Sequence, residues 1–331
     1  MYKVKLSVDV NCINQTPMRS GKWGNYQFEI NGEGKGYDFW VIYSKGISKV
    51  EECMVAPENT IFISGEPESI YHYSHGFVNQ CGKAILCRND IKHPNIVHNQ
   101  PAQMWFIGRI KDENGIHFKT GYDDYKGKDE YKKEKLISVI SSNKAFTKGH
   151  QRRIDFVNKL KEHYGDKMDI FGRGYNGFDD KWDVVSPYKY HIVIENSCYD
   201  DYWTEKLADC FIGGAFPIYY GCPNVDKYFD SESMIKIDIN DFEASVAAID
   251  KAIAEDLYSK RQEKIIEAKN KVLDEYNLFA MLATEMDKMN PKAEKKLCRF
   301  KPDIKFFDLK KLKTMIIDRL LCKITKKSIK K

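Results

Sequence analysis

The 331-residue chain reads as an α/β protein with parallel sheets and more than one domain. Three observations predict this. The length suffices for two domains of ordinary size. The second half carries short apolar runs without polar alternation, the mark of strands buried on both faces. Segments of helical spacing separate those runs, as in a sheet covered by helices.

The elements follow in order. Met1 to Val8 alternates polar and apolar residues and reads as a first strand, not as an export signal. Tyr37 to Tyr43 and Thr60 to Ser64 are further strand candidates, the latter ending at the turn-former Gly65. The charged run Lys126 to Lys135 (KGKDEYKKEK) is expected in solvent and marks the predicted domain boundary. Beyond it, Leu136 to Ile140, Met168 to Phe171, Tyr190 to Ile194, Phe216 to Tyr220 and Met234 to Ile237 read as five strands. Arg152 to His163 has helical spacing. A second helix, from about Thr204 to Ile212, closes at Gly213-Gly214. Asp241 caps a helical pattern that runs with breaks to about Met289.

A hydrophobic content of 42% and an aromatic content of 13% are those of a globular protein. No apolar run is long enough to span a bilayer. The nine cysteines are scattered with no C-x-x-C pair, so zinc-ribbon and redox readings lack support and reduced, mostly buried thiols are expected. The net charge is +5, yet residues 292–331 hold 15 Lys and Arg against four acids, so the body ahead of them is acidic. Leu309, Leu312, Ile316, Leu320 and Ile324 recur at helical spacing among lysines. This predicts a basic amphipathic helix that lies on an anionic membrane through residues 304–329.

The most informative stretch is Tyr190 to Gly221, YHIVIENSCYDDYWTEKLADCFIGGAFPIYYG. It is a strand, a loop, a helix and a strand. Ligands of parallel sheets bind beyond the carboxyl ends of strands. A helix N-terminus placed there offers free N–H groups and a positive dipole end to a phosphate. Lys206 adds a full charge in the first helical turn, and Glu205 beside it suits a sugar diol.

This segment resembles the glycosyltransferase family 10 fucosyltransferases, whose motif reads approximately F-E-N-S, a spacer, Y-x-T-E-K, a helix and P-x-x-x-G. The matching residues are Glu195, Asn196, Ser197, Tyr202, Thr204, Glu205, Lys206, Pro217 and Gly221, with Ile194 in place of the aromatic. Ser142-Asn143, Arg153-x-x-Phe156 and Asp169 to Gly174 resemble further family segments, as does Ile237 to Phe242. Gly65-Glu66-Pro67-Glu68-Ser69 resembles the acidic loop of the family's first half. The likeness is clear over residues 136–290 and rests mainly on that one loop before them.

The resemblance implies a GT-B fold, two Rossmann-like domains facing a cleft. It divides the chain into an acceptor-side domain (1–135), a GDP-sugar domain (136–290) and the basic tail (291–331). It implies inverting transfer of L-fucose from GDP-fucose to a glycan hydroxyl, of bacterial surface polysaccharide or lipopolysaccharide type. Arg153 and Lys206 would hold the diphosphate, Glu205 would bind ribose or fucose hydroxyls, and Asn143, Asn196 and Tyr202 would meet the donor. Glu68 would be the catalytic base, with Glu66 or another acid as the competing assignment. No cofactor or metal is expected, since no D-x-D pattern occurs. The expected location is cytoplasmic, peripheral on the inner face of the membrane.

Other readings compete. The alternative reading keeps the fold and takes another GDP-deoxysugar as donor. A non-enzymatic protein binding nucleic acid or membrane through its basic tail leaves the Glu195 to Lys206 segment unexplained, and no nucleic-acid partner is expected. Gly172 to Gly177 fits a G-x-G-x-x-G fingerprint but lacks the helix that must follow it, so loop glycines are the better account. His72 and His75 lack further ligands at metal spacing and are read as packing or cleft-lining residues.

Overall fold

The computed structural model describes residues 1–113, 115–143 and 148–306, with the backbone alone for 148–150. The chain divides into two compact units, Met1–Val10 with Gly24–Pro101 and the segment from Thr284 onward, and Asn11–Trp23 with Ala102–Ala283.

The first unit is built on six parallel strands in the order Tyr26–Ile30, Tyr2–Ser7, Phe39–Tyr43, Thr60–Ile63, Lys83–Leu86 and Ile96–His98. Every residue of Phe39–Tyr43 and of Thr60–Ile63 is buried, which is why these segments are apolar without alternation. Trp40, Phe62, Tyr73, Phe77 and Phe300 share one core cluster. Glu51–Val55 pairs antiparallel with Lys296–Phe300, Cys53 opposite Cys298. Burial alternates along Glu51–Val55, as a ribbon with one covered face requires.

The second unit holds five parallel strands in the order Met168–Phe171, Lys135–Ile140, Tyr188–Ile194, Phe216–Tyr220 and Ile235–Lys236. Numbered along the chain this is 2-1-3-4-5, so the order reverses between Lys135–Ile140 and Tyr188–Ile194. A ligand crevice lies at such a reversal, beyond the carboxyl ends. Helix Lys148–Tyr164 turns Phe156, Val157 and Leu160 into the core, and Glu205–Ile212 buries Leu207, Cys210 and Phe211. The expected long helix is broken into Phe242–Ala254, Leu257–Lys260, Gln262–Lys271 and Leu278–Met286. Asp241 caps its start by accepting from the Ala244 N–H at 3.1 Å.

The chain is thus mixed α/β with a parallel sheet in each unit, as expected, with nearly all its described α-helix on the second unit, and the limits of the units differ from 135/136 and 290/291. Residues 102–135 pack with the second unit. The Asp209 carboxylate accepts from the Phe106 and Ile107 N–H groups (2.8 and 2.9 Å), and Asp180 accepts from Gly108 (2.8 Å). The charged run is likewise not all in solvent. Lys133 is half-buried and donates to the carbonyls of Ser186 (2.8 Å) and Gly213 (3.1 Å), the caps that end helices Trp182–Val185 and Glu205–Ile212. Burial pulls its pKa down to about 7. Nor does the tail begin at 291. Residues 296–300 are a strand of the first unit, and Asp303 is buried there at 3% exposure. The amphipathic helix expected over 304–329 falls largely on residues 307–331, outside the described residues. Among the described residues no helix is long and apolar enough to cross a membrane.

Candidate active site

The carboxyl edge of the second sheet is organised by Glu195. Strand Tyr188–Ile194 delivers it, and its N–H donates to the Tyr220 carbonyl of the neighbouring strand at 2.8 Å. The side chain is fully buried. Its carboxylate accepts from the Thr204 N–H (2.8 Å), the Thr204 hydroxyl (2.8 Å) and the Lys206 ammonium (3.1 Å). Thr204 is the N-cap of helix Glu205–Ile212, its hydroxyl accepting from the Lys206 N–H at 3.3 Å. One buried acid therefore locks the strand end to the first turn of the helix. Gly221 makes room for it, since a Cβ there would stand 2.5 Å from the Glu195 Cγ. That is the physical reason for glycine at the end of the P-x-x-x-G strand.

Lys206 is a quarter exposed and lies 3.4 Å from the Glu205 carboxylate as well. Burial works against its charge, but Glu195 and Glu205 outweigh it and hold its pKa above the ordinary value. It stays a cation throughout the physiological range.

Arg153 reaches the same strand end from helix Lys148–Tyr164. Its Nη1 donates to the Asn196 amide oxygen at 3.0 Å. Its buried Nε has no hydrogen-bond partner among the described residues. Burial lowers its pKa from the usual value without threatening the charge. Arg153 and Lys206 are thus tied to adjacent residues, Asn196 and Glu195. On the other side of the reversal, the Asn143 N–H donates to the Arg173 carbonyl at 3.1 Å. Gly174 (φ 85°) lies against the Asn143 amide, and Gly172 (φ 117°) against the Ser141 carbonyl; a Cβ on either would clash at about 2 Å. These glycines shape a tight loop on the strand end. The next helix is Trp182–Val185, so no dinucleotide fingerprint forms.

Of the predicted donor residues, Asn143, Arg153, Asn196, Glu205 and Lys206 all stand at this edge. Tyr202 is different. It is 2% exposed, its ring packs edge-on against Tyr199 at 6.2 Å, and it offers no open face to a ligand. Sequence reasoning missed the part played by Glu195. An acid directly after a strand buried at all but one residue, nine residues before a threonine N-cap, was the available signal. Along helix Lys148–Tyr164, starting at the neighbour of Arg153, the residues Arg152, Asp155, Phe156, Lys159, Asn240 and Phe242 line a pocket of about 320 Å³, which none of the predicted residues joins.

Glu68 belongs to the first unit. It lies in an exposed turn after strand Thr60–Ile63, closed by the Ile70 and Tyr71 N–H groups donating to the Pro67 carbonyl (both 3.0 Å). Arg88, 3% exposed, donates to the carbonyls of Glu66 (2.8 Å) and Tyr71 (2.7 Å) and pairs with both oxygens of Asp90. His72 stands 3.9 Å from Asp90. His75 is exposed, at the start of the short helix His75–Val78. Among the described residues no group of three or more His, Cys, Asp or Glu is placed to hold a metal.

Residues 130–260 match the family model described as glycosyltransferase family 10 (fucosyltransferase), C-terminal part. An alpha-(1,3)-fucosyltransferase FucT of Helicobacter pylori is 36% identical over 77 residues, 23% of this chain and 16% of that protein. Alpha-(1,3)-fucosyltransferase 4 of Mus musculus is 31% identical over 124 residues, 35% of this chain and 28% of the mouse protein. The chain therefore spans less than a third of the length of these relatives. A crystal structure of an alpha1,3-fucosyltransferase with GDP-fucose superposes with a TM-score of 0.45 at 15% identity, covering 84% of this chain and 92% of that one. The carboxyl-edge site described above falls wholly within the stretch of residues 130–260 that matches the family model.

Proposed function

We propose that this protein is an inverting fucosyltransferase that transfers L-fucose from GDP-fucose to a hydroxyl of a glycan. The observation that carries the reading is the pairing of two cations with one strand end. Arg153 on Asn196 and Lys206 on Glu195 flank a helix N-terminus beside the reversal of strand order, inside the family 10 stretch. Departure of GDP leaves negative charge on the diphosphate, and preorganised donors aimed at it lower the barrier. Arg153 donates a fork of hydrogen bonds with its Nε, which has no partner among the described residues, and Lys206 supplies a second cation.

Glu205 binds sugar or ribose hydroxyls, Asn143 and Asn196 meet the donor, and Tyr202 supports the loop from beneath. Glu68 takes the proton of the attacking hydroxyl. The two cations and the helix terminus do the electrostatic work that a metal does elsewhere, so no metal is required. The acceptor is a bacterial surface polysaccharide or lipopolysaccharide, met at the inner face of the membrane by the basic tail.

The test is a panel of GDP- and UDP-sugars, read by thermal stabilisation and slow donor hydrolysis in excess chelator. GDP-fucose is expected to stabilise the chain most and UDP-sugars not at all. Equal stabilisation by both sets overturns the reading, and a stronger response to another GDP-deoxysugar reassigns the donor.

A further inference from the structure

The segment that follows the second unit returns to the first and grips the loop that carries Glu68. Asp303 is 3% exposed and separated from that loop by more than 200 residues of chain. One carboxylate oxygen accepts from the Tyr71 hydroxyl at 2.6 Å, and the other from the Ser74 N–H at 3.3 Å. Around it the two segments interlock. The Gln80 side chain makes a reciprocal pair with Lys301, donating to its carbonyl (2.9 Å) and accepting from its N–H (2.8 Å). Phe77 packs against Phe300 and Phe306, and Gly76 has no Cβ where the Phe306 ring lies.

Tyr71 is the hub. Its N–H closes the turn that contains Glu68, its carbonyl accepts from Arg88, and its hydroxyl reaches Asp303. Burial and the Asp303 carboxylate push that hydroxyl above its usual pKa, so it remains a donor. A partly buried charge-assisted hydrogen bond at the end of a short turn fixes where the turn's side chains stand.

We infer that Asp303, acting through Tyr71, is a positioning residue for the acidic turn at Glu68. The inference rests on the transferase reading above. Neither residue meets substrate; both hold the turn so that its carboxylate stands at the reacting hydroxyl. Misplacement of a catalytic group by about 1 Å costs on the order of 100-fold.

The experiment uses the full chain and follows GDP release from GDP-fucose, with water standing in as acceptor, beside thermal stabilisation by GDP. Tyr71→Phe and Asp303→Asn are each expected to lower kcat about 10-fold or more while leaving GDP stabilisation and the KM for GDP-fucose unchanged. In a Glu68→Gln background, Tyr71→Phe is expected to cost nothing further. That is a signature a merely structural bond does not give. Should Asp303→Asn fail to fold, Tyr71→Phe alone decides. Unchanged turnover in Tyr71→Phe, or an undiminished loss in the Glu68→Gln background, overturns the inference while the transferase reading stands. A wild-type chain that neither binds GDP nor turns over GDP-fucose overturns that reading and this inference together.

Discussion

The two charged regions of this protein are built on opposite plans. At the carboxyl edge of the second sheet, a buried acid, a threonine cap and a lysine lie within 12 residues of one another, and a local strand–helix unit holds them. At the acidic turn of the first unit, Glu68 is exposed; local bonds from the Ile70 and Tyr71 N–H groups to the Pro67 carbonyl close the turn, but the side chains that hold it in place are Arg88 and, more than 200 residues away, Asp303. The donor edge is preorganised by sequence neighbours. The acidic turn is preorganised only once the whole unit has closed. Substitutions at the first should therefore damage binding and folding together, and those at the second should damage turnover alone.

The widest separation is expected from Glu68→Gln. Loss of a general base costs on the order of 100- to 10,000-fold in turnover. GDP release from GDP-fucose measures that loss, and thermal stabilisation by GDP should be retained. Near-normal turnover would remove Glu68 from the mechanism and leave Glu66 as the next acid to test.

Glu195→Ala should behave in the opposite way. It leaves the Lys206 ammonium without its buried partner and the Thr204 cap without its acceptor. Breaking such a pair from one side costs about 3 kcal/mol, to be read from urea unfolding, and GDP stabilisation should vanish with it. Gly221→Ala presses on the same acid through its Cβ and should cost about 1–3 kcal/mol by overpacking. A Glu195→Ala chain of unaltered stability would mean that the acid does not lock the helix to the strand.

A smaller, pH-dependent difference sharpens the contrast. His191 is buried in the second sheet, its Nδ1 2.7 Å from the Ser138 hydroxyl, and burial, with Lys181 and Lys133, pushes its pKa down to about 3. The folded state thus keeps the imidazole neutral while the unfolded chain protonates near pH 6.5. This contribution is complete above pH 6.5 and is lost as pH falls toward 3, by about 2 kcal/mol at pH 5. His191→Gln should flatten that acid limb in a stability–pH curve. An unchanged limb would assign the acid loss to other groups.

The smallest effect concerns the tail. A truncation at Pro291 would also remove strand Lys296–Phe300 and Asp303, and so would damage the first unit itself. A chain ending after Phe306 is the cleaner variant. It should keep GDP-fucose turnover and lose binding to anionic vesicles; full vesicle binding would refute the membrane role.

What the sequence made legible follows the same division. Strands Phe39–Tyr43 and Phe216–Tyr220 were readable because burial on both faces leaves apolar runs, and helix Glu205–Ile212 because the Gly213-Gly214 pair closes it. That Asn196, Glu205 and Lys206 share one strand end was readable because they lie close together in one strand–loop–helix unit, with Arg153 joining them from the preceding helix. The function of Glu195 as a lock and of Gly221 as its clearance needed the fold, since each depends on a distance across two strands. The compact units divide elsewhere than at 135/136, although most of the charged run is exposed. Lys133 instead caps two helix ends, and Asp209 gathers residues 106 and 107 through hydrogen bonds that no local pattern announces. Asp303 looked like one acid in a basic tail, and only the return of the chain to the first unit gives it a partner.

The most direct test of the whole account is a crystal structure of the chain with GDP. The account predicts the diphosphate beyond the carboxyl ends of Lys135–Ile140 and Tyr188–Ile194, with its oxygens within hydrogen-bond reach of Arg153 and Lys206. GDP bound elsewhere, or seated there without contact to either cation, would contradict it.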